Sequence, residues 1–228
     1  MLRIHTLFPL GIAAAVAGSL ILTDGATAES PSPDGPVMFE VTITNLTSNQ
    51  VFSAPIVASH SDGAQMFEPG SAASPELQAL AEDGDNSGLA TALGANSEVL
   101  DVVTFPANIA PGTSMATTIT LDGYHDELSI AGMLVTTNDA FFGLDSVSEM
   151  RNTSEAVFFA PVFDAGTEYN SEDCMYIPGP PCGNGGVHDA TPDVGFIHFS
   201  NGIHGIGSLD APTYDWGPYA ARIEVRRL

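Results

Sequence analysis

The sequence predicts an all-β protein, an antiparallel β-sandwich with one or two short helices. Two observations support this prediction. Short β-prone runs recur along the chain and are separated by turns, a spacing that is typical of sandwiches. In contrast, only one segment carries a full set of helix signals. A sandwich of about 200 residues commonly folds as one domain and has enough residues to bury a core.

The first predicted strand is Val37–Asn45, in which apolar and polar residues alternate. Phe39, Val41 and Ile43 would point to one face of a sheet, and the polar residues between them would point to the other. The other predicted strands cover residues 51–60, 99–105, 114–121, 127–137, 156–163, 195–199 and 220–226. Residues 127–137 are almost entirely apolar after Leu128, so we expect this strand at the centre of a sheet.

The helix signals belong to residues 75–83. Ser74 is placed to cap the helix N-terminus, Pro75 takes the first helical position, and Leu77 and Leu80 share one face. We expect an additional short helical turn at residues 87–94.

The N-terminus has the features of a secretory signal peptide. A short basic start, an apolar stretch over residues 7–22 and the small residues Ala26-Thr27-Ala28 predict cleavage after residue 28, with residues 1–28 as the signal. The alternative is a membrane anchor, but a bilayer span needs about 20 apolar residues. Residues 29–36 are predicted as a linker, and residues 37–228 as the domain. We therefore expect a secreted or periplasmic protein without a membrane span in its mature chain.

The chain is strongly acidic, with a formal net charge of −23 and no lysine. Nucleic acids and anionic lipids are bound through basic residues, so this composition argues against both as partners. An acidic surface attracts cations instead.

Cys174 and Cys182 are separated by a short loop rich in Pro and Gly. In an exported protein, such a close pair is expected to form a disulfide. Zinc binding is the alternative, but it would require a second pair of ligands nearby.

Three acidic residues lie in or just after apolar, β-prone runs. Asp139 belongs to residues 137–143, and Asp164 and Glu168 follow the run that ends at residue 163. Strands that end at these positions would place the three carboxylates at one rim of a sheet. Ca²⁺ takes six to eight oxygen ligands at about 2.3–2.6 Å, so we predict a calcium site formed by Asp139, Asp164 and Glu168.

Other residues near these acids could complete such a site. Asn138, Asp145 and the backbone carbonyls around Ala165 are candidates, and Gly166 would let the backbone turn between the acids. The alternative interpretation is that the acids are ordinary solvated loop residues.

Several motifs resemble the spondin domain family. They are Asn-Asp-x-Phe-x-Gly-Leu at residues 138–144, Asp-Ala-Gly-Thr-Glu at 164–168, the strand and following residues at 39–47, and the helical segment at 74–84. The resemblance covers most of the chain from Val37 to Arg226. It implies a β-sandwich in which three acids at one end bind calcium.

Transferred residue by residue, the three calcium-binding acids of the family correspond to Asp139, Asp164 and Glu168. Glu168 stands where the animal members of the family carry Asp. The charge is the same, but the side chain is longer.

Three histidines form a second candidate group. His188, His198 and His204 could bind a transition metal or act as an acid–base pair, although their spacing matches no standard ligand pattern. The alternative is that His198 and His204 are hydrogen-bonded to the backbone.

The sequence as a whole predicts an exported calcium-binding module without enzymatic activity. It would serve extracellular or envelope interactions with an unknown protein or glycan. Sequence signatures of common hydrolases and nucleotide-binding enzymes are missing. The alternative is a secreted hydrolase or a carbohydrate-binding protein that uses the region of His125 and His204.

Overall fold

The computed structural model describes residues 35–148, 150–191 and 193–228. The predicted signal peptide and residues 29–34 of the predicted linker lie outside these residues. The strands in the described part are β1 (Val37–Asn45), β2 (Ile56–His60), β3 (Val99–Thr104), β4 (Ser114–Leu121), β5 (Glu127–Met133), β6 (Ala140–Val147), β7 (Glu155–Ala160), β8 (Val162–Asp164), β9 (His198–Phe199) and β10 (Ala221–Arg227). The helices are α1 (Pro75–Asp83), α2 (Ser87–Gly94) and α3 (Ala211–Tyr214), and a 3₁₀ turn covers Met150–Asn152.

The strands form two antiparallel sheets. One sheet has four strands in the order β4-β1-β10-β7, and the other has six in the order β3-β2-β5-β6-β8-β9. The predicted antiparallel β-sandwich is therefore confirmed. The two expected helical segments are present as α1 and α2, and α3 is an additional short helix that was not predicted.

The first and last strands are neighbours in the four-stranded sheet. β1 pairs with β10 in antiparallel register, with Phe39 opposite Arg227 and Asn45 opposite Ala221. Beyond the paired residues, the backbone N–H of Leu228 donates to the carbonyl of Met38 at 3.0 Å. The described chain therefore enters and leaves this sheet at the same end.

The main core lies between the two sheets. Phe39, Val41 and Ile43 of β1 are fully buried, as their alternation predicts. They belong to the same hydrophobic cluster as Leu128 and Ile130 of β5 in the facing sheet. Fully burying an apolar side chain of this size contributes about 1.5–3 kcal/mol, so this layer is a large stabilising term.

The six-stranded sheet is also covered on its outer face. Leu77 and Leu80 of α1 pack in a second cluster with Ile56, Ala131 and Phe141 from strands of that sheet. β5 is consequently buried on both faces, and it lies between β2 and β6. This explains its nearly continuous apolar sequence and confirms the predicted central position.

The strand predicted over residues 127–137 is too long. β5 ends at Met133, and a tight turn follows in which the hydroxyl of Thr137 donates to the carbonyl of Leu134 and accepts from the N–H of Ala140. Threonine hydroxyls stabilise turns in this way. Asp139 therefore lies in the turn just before β6, whereas the sequence prediction placed it at the end of a strand.

The strand predicted over residues 156–163 is split at Pro161. β7 ends at Ala160 in the four-stranded sheet, and β8 begins at Val162 in the six-stranded sheet. Proline has no N–H to donate to a neighbouring strand, so it suits this crossing point. Its carbonyl accepts from the N–H of Gly143 at 3.2 Å.

The long connection between β8 and β9 contains the predicted disulfide. Cys174 and Cys182 are bonded to each other, which excludes the alternative of zinc bound by these two cysteines. Beside the bridge, Ile177, Ile203 and Leu209 form a small third hydrophobic cluster.

Among the described residues, no helix has both the length and the apolar character that a bilayer span requires.

Candidate metal site

The pairing of β6 with β8 brings two of the predicted ligands together. Ala140, the first residue of β6, is opposite Asp164, the last residue of β8. The N–H of Ala165 then donates to the carbonyl of Asp139 at 3.1 Å. Asp139 and Asp164 therefore lie side by side at one rim of the six-stranded sheet, as the sequence predicts.

Asp139 is fully buried and holds the loop that follows β8. Its Oδ2 accepts hydrogen bonds from the backbone N–H of Thr167 at 2.8 Å, from the Thr167 hydroxyl at 3.2 Å and from the backbone N–H of Glu168 at 3.0 Å. Its Oδ1 is buried without any hydrogen-bond partner. One half of this carboxylate is saturated, while the other half lacks a partner.

Glu168 shows the same division between its two oxygens. Oε1 accepts from the backbone N–H of Asp189 at 2.6 Å and lies 3.5 Å from the amide nitrogen of Asn138. Oε2 is buried without a hydrogen-bond partner, and the residue as a whole is only 1% exposed.

Asp164 is equally buried, but both of its oxygens have donors. Oδ1 accepts from the backbone N–H of Gly166 at 2.8 Å, and Oδ2 accepts from the side-chain amide of Asn170. His198, which is opposite Asp164 in the β8–β9 register, places Nε2 3.5 Å from Oδ1.

Gly166 is required for this arrangement. Its φ of +68° is in the left-handed region, and a Cβ built on it would lie 2.3 Å from the carbonyl oxygen of Phe196. Only glycine combines this backbone conformation with such a close approach. The prediction that the backbone turns at Gly166 is confirmed.

Burial and mutual repulsion disfavour the charged forms of these acids. Burial, followed by the charge of Asp164, raises the pKa of Asp139 to about 8. Burial also raises the pKa of Asp164 above its usual range and that of Glu168 to about 7. A bound cation would reverse this effect, because it favours the ionised form.

Of the other two predicted side-chain ligands, one lies close to the three acids and the other lies far from them. Asn138 belongs to the site, since its amide nitrogen faces Glu168 and its Oδ1 accepts from the N–H of Glu172 at 3.3 Å. Asp145 does not belong to it. It is five residues beyond Ala140 along β6, a distance of about 17 Å in a strand, and it bonds to Ser129.

Two compact groups of ligand atoms are present in the described residues. Glu82, Glu168 and His188 form one, and Asp164, Asp193 and His198 form the other; within each group the atoms lie within 4.8 Å of one another. The three predicted acids share one buried patch, but Asp164 and Glu168 belong to different groups and Asp139 to neither.

Sequence reasoning missed Glu82 and Asp193. Glu82 is near the end of α1, where an acid usually faces solvent, yet it is only 6% exposed. Asp193 lies in the long connection before β9, and its Oδ2 is also buried without a partner. No spacing in the sequence connects either residue to the predicted site, because both approach it through the tertiary fold.

Sequence reasoning also missed Glu172, a buried acid that holds the loop around His204. Its two carboxylate oxygens accept from the backbone N–H groups of His204 and Ile206. The sequence placed His198 and His204 in one group, but the structure gives them different environments. His198 is hydrogen-bonded to the backbone carbonyl of Phe199 at 2.9 Å, in agreement with the alternative interpretation.

A cavity of about 170 Å³ lies beside the acidic patch. Asp164, Asn170, Glu172, His204 and Trp216 are among the residues that line it. His125 is not among them. It lies in the turn before β5 and contacts Asp122 at 3.0 Å. The region of His125 and His204 therefore does not form one site.

Comparison with known sequences gives one family. The sequence model of the family described as Spondin_N matches residues 43–174, which is more than half of the chain. The match includes Asp139, Asp164 and Glu168 and ends at the first cysteine of the disulfide. No curated protein matches the chain.

Proposed function

The chain belongs to the Spondin_N family of extracellular-type modules, and we propose that it is a calcium-binding interaction module without enzymatic activity. The proposed calcium ligands are Asp139, Asp164 and Glu168.

One observation carries this proposal. Oδ1 of Asp139 is buried and has no hydrogen-bond partner. Burying a polar atom without a partner costs free energy, and a buried carboxylate is costly unless a cation or donors compensate it. Because Oδ2 of the same residue is already saturated, the missing partner must approach Oδ1 from the other side. A bound cation would meet this requirement.

The chemistry of the patch fits Ca²⁺. The three proposed ligands are carboxylates, and Ca²⁺ prefers hard oxygen ligands. When bound, the ion would supply positive charge where burial and repulsion raise the pKa of Asp139 and Glu168 to about 8 and about 7. The residues of the chain would position it, since backbone N–H groups already fix one oxygen each of Asp139, Asp164 and Glu168.

The function we propose for the ion is to order the loops at this rim. Asp139 links the turn before β6 to the loop after β8 through Thr167 and Glu168. Neutralising the acids would stabilise this connection and fix the surface presented to a partner. The partner that we propose is an extracellular protein or glycan.

The proposal is tested by titrating Ca²⁺ into the metal-free protein by calorimetry, with thermal melts in EGTA and in excess Ca²⁺. We expect saturable binding and a rise in Tm, with stabilisation of about 2.7 kcal/mol at a hundredfold excess over Kd. Asp139→Asn should lose both effects. Asp145→Asn, in β6 but outside the patch, should retain them. Absence of binding heat and of any Tm shift in the unaltered protein would contradict the proposal.

A second candidate function is carbohydrate binding, and the cavity beside the patch favours it. The cavity combines an aromatic ring, Trp216, with polar side chains such as Asn170 and His204. Rings of this kind stack on sugars, while amides and carboxylates bond to their hydroxyls.

Titration of the protein with mono- and disaccharides, with binding monitored by NMR, would test this candidate. His204→Ala is the suitable variant, because the His204 side chain is exposed and the bond to Glu172 uses its backbone. His125→Ala, outside the cavity, is the control. If saccharides bind equally well to both variants, the cavity is not the binding site.

A further inference from the structure

We propose that Glu82, Glu168 and His188 form a second metal site, which takes a transition metal ion such as Zn²⁺. It includes neither Asp139 nor Asp164, and it shares only Glu168 with the proposed calcium site. Its residues come from α1 and from two parts of the connection between β8 and β9.

The distances suit a small, tightly coordinated ion. Nδ1 of His188 lies 3.2 Å from Oε2 of Glu82 and 3.7 Å from Oε2 of Glu168. Zinc binds nitrogen and carboxylate oxygen at about 2.0–2.2 Å, so two ligands of a tetrahedral ion are roughly 3.4 Å apart. The two observed separations lie on either side of this value.

Each carboxylate has one oxygen fixed by the protein and the other directed toward the histidine. Oε1 of Glu82 accepts from the side-chain amide of Gln78 at 2.8 Å, and Oε1 of Glu168 accepts from the N–H of Asp189. Oε2 of Glu168 is buried and lacks any hydrogen-bond partner. Hydrogen bonds from surrounding groups orient metal ligands in this way.

His188 has the features of a metal-binding histidine. Its second ring nitrogen, Nε2, lies 3.5 Å from Oδ2 of Asp83. Metal-binding histidines commonly direct the other ring nitrogen to a carboxylate, which orients the ring and increases its basicity. The His188 side chain is 39% exposed, so an ion can reach the site from solvent and a water molecule can complete the coordination.

The ligand types distinguish this site from the proposed calcium site. An imidazole nitrogen suits zinc and other transition metals, whereas Ca²⁺ prefers oxygen alone. Two carboxylates and a neutral imidazole also balance the charge of a divalent ion.

The alternative is that a protonated His188 is itself the cation. Its two N–H groups would then serve Glu82 and Asp83, at 3.2 Å and 3.5 Å. That arrangement leaves Oε2 of Glu168 without a donor, since it is 3.7 Å from Nδ1. A metal ion accounts for all three groups.

The test is a Zn²⁺ titration of the metal-free protein without added Ca²⁺, measured by calorimetry with a competing chelator. We expect one site whose affinity falls at least about tenfold in His188→Ala and in Glu82→Gln. His198→Ala, which alters the other histidine-containing group, is the matched control and should bind normally. Circular dichroism confirms that each variant is folded.

Three outcomes would overturn the proposal: no Zn²⁺ binding by the unaltered protein, unchanged affinity in His188→Ala, or loss of the site in His198→Ala. Asp139→Asn separates this proposal from the calcium proposal, since it should lose Ca²⁺ binding and retain Zn²⁺ binding. Glu168 is left unaltered because it is a proposed ligand in both.

Discussion

The backbone N–H of Glu168 donates to Oδ2 of Asp139 at 3.0 Å, so one proposed calcium ligand holds the loop that carries another. The oxygen that makes this contact is not the one that lacks a partner, since Oδ1 of Asp139 is the orphan. Oδ2 of this carboxylate therefore holds the loop, and Oδ1 remains available to a cation. Substitutions in this patch should affect loop order and ion binding together.

Replacing Asp164 should separate charge from hydrogen bonding. Asp164→Ala removes the acceptors for the Gly166 N–H and the Asn170 amide, which we expect to cost about 1–3 kcal/mol while leaving the sandwich folded. Strong Ca²⁺ binding should be lost. Asp164→Asn should also lose binding, but with a smaller loss of stability because an acceptor oxygen remains. Calorimetry and urea unfolding measure the two effects. Unchanged Ca²⁺ affinity in Asp164→Ala would remove this residue from the site.

The stability of the metal-free protein should fall as pH rises from about 4 to 8. The folded pKa values of Asp139 and Glu168 are raised to about 8 and about 7, from 3.8 and 4.5. In this interval the folded state therefore holds more protons than the unfolded state, and its stability decreases with pH. Urea unfolding in EGTA across this range measures the slope.

The same series in saturating Ca²⁺ is the control for the pH prediction. The ion should keep the acids ionised in the folded state, so the downward slope should disappear. A slope that is equal with and without Ca²⁺ would show that the ion does not contact these acids.

Gly166→Ala should destabilise the loop far more than Gly195→Ala in the same connection. The added Cβ would meet the carbonyl of Phe196 at 2.3 Å in addition to the strain of a φ of +68°. Gly195→Ala is the matched control, because its φ is +79° but nothing lies within 4 Å of the new Cβ. The control should lose about 1–2 kcal/mol, the backbone term alone. Urea unfolding of both variants checks this, and equal losses would contradict the close packing at Gly166.

Removing the disulfide should lower stability by about 2–3 kcal/mol, the chain-entropy value for a loop of this length. The bridge joins Cys174 to Cys182, eight residues apart, next to the cluster of Ile177, Ile203 and Leu209. The double variant Cys174→Ser, Cys182→Ser is compared with the oxidised protein by thermal melts. Reduction of the unaltered protein should give the same shift as the double variant. A Tm that does not change would show that the small cluster holds the loop without the bridge.

The strands of the sandwich could be predicted in part from local sequence pattern. Alternation in β1 and the apolar run of β5 predicted a buried strand and a central strand, and both predictions are confirmed. The sequence does not predict the turn after Met133, because the residues that follow are β-prone. A hydrogen bond from the Thr137 hydroxyl to the carbonyl of Leu134 stabilises this turn. Pro161 was a readable signal, since proline disrupts a central strand.

Asp139 and Asp164 could be predicted from the sequence, but Glu82 and His188, which lie close to Glu168, could not. Asp139 and Asp164 could be brought together from their positions at strand ends, and the β6–β8 register does so. Glu82 and His188 could not, because one is on a helix packed over the sheet and the other is in a loop after the disulfide. Their contact at 3.2 Å is a product of the tertiary fold.

The pairing of β1 with β10 has a mechanical consequence. Both ends of the described sandwich leave from the same end of one strand pair, with Phe39 opposite Arg227. A tensile force applied to the two ends would therefore break the hydrogen bonds between these strands one at a time, starting from the end where the force acts. Strand pairs resist force best when many bonds are sheared at once, which this geometry does not allow. The pairing of β1 with β10 would therefore resist tension between the two ends of the described sandwich only weakly.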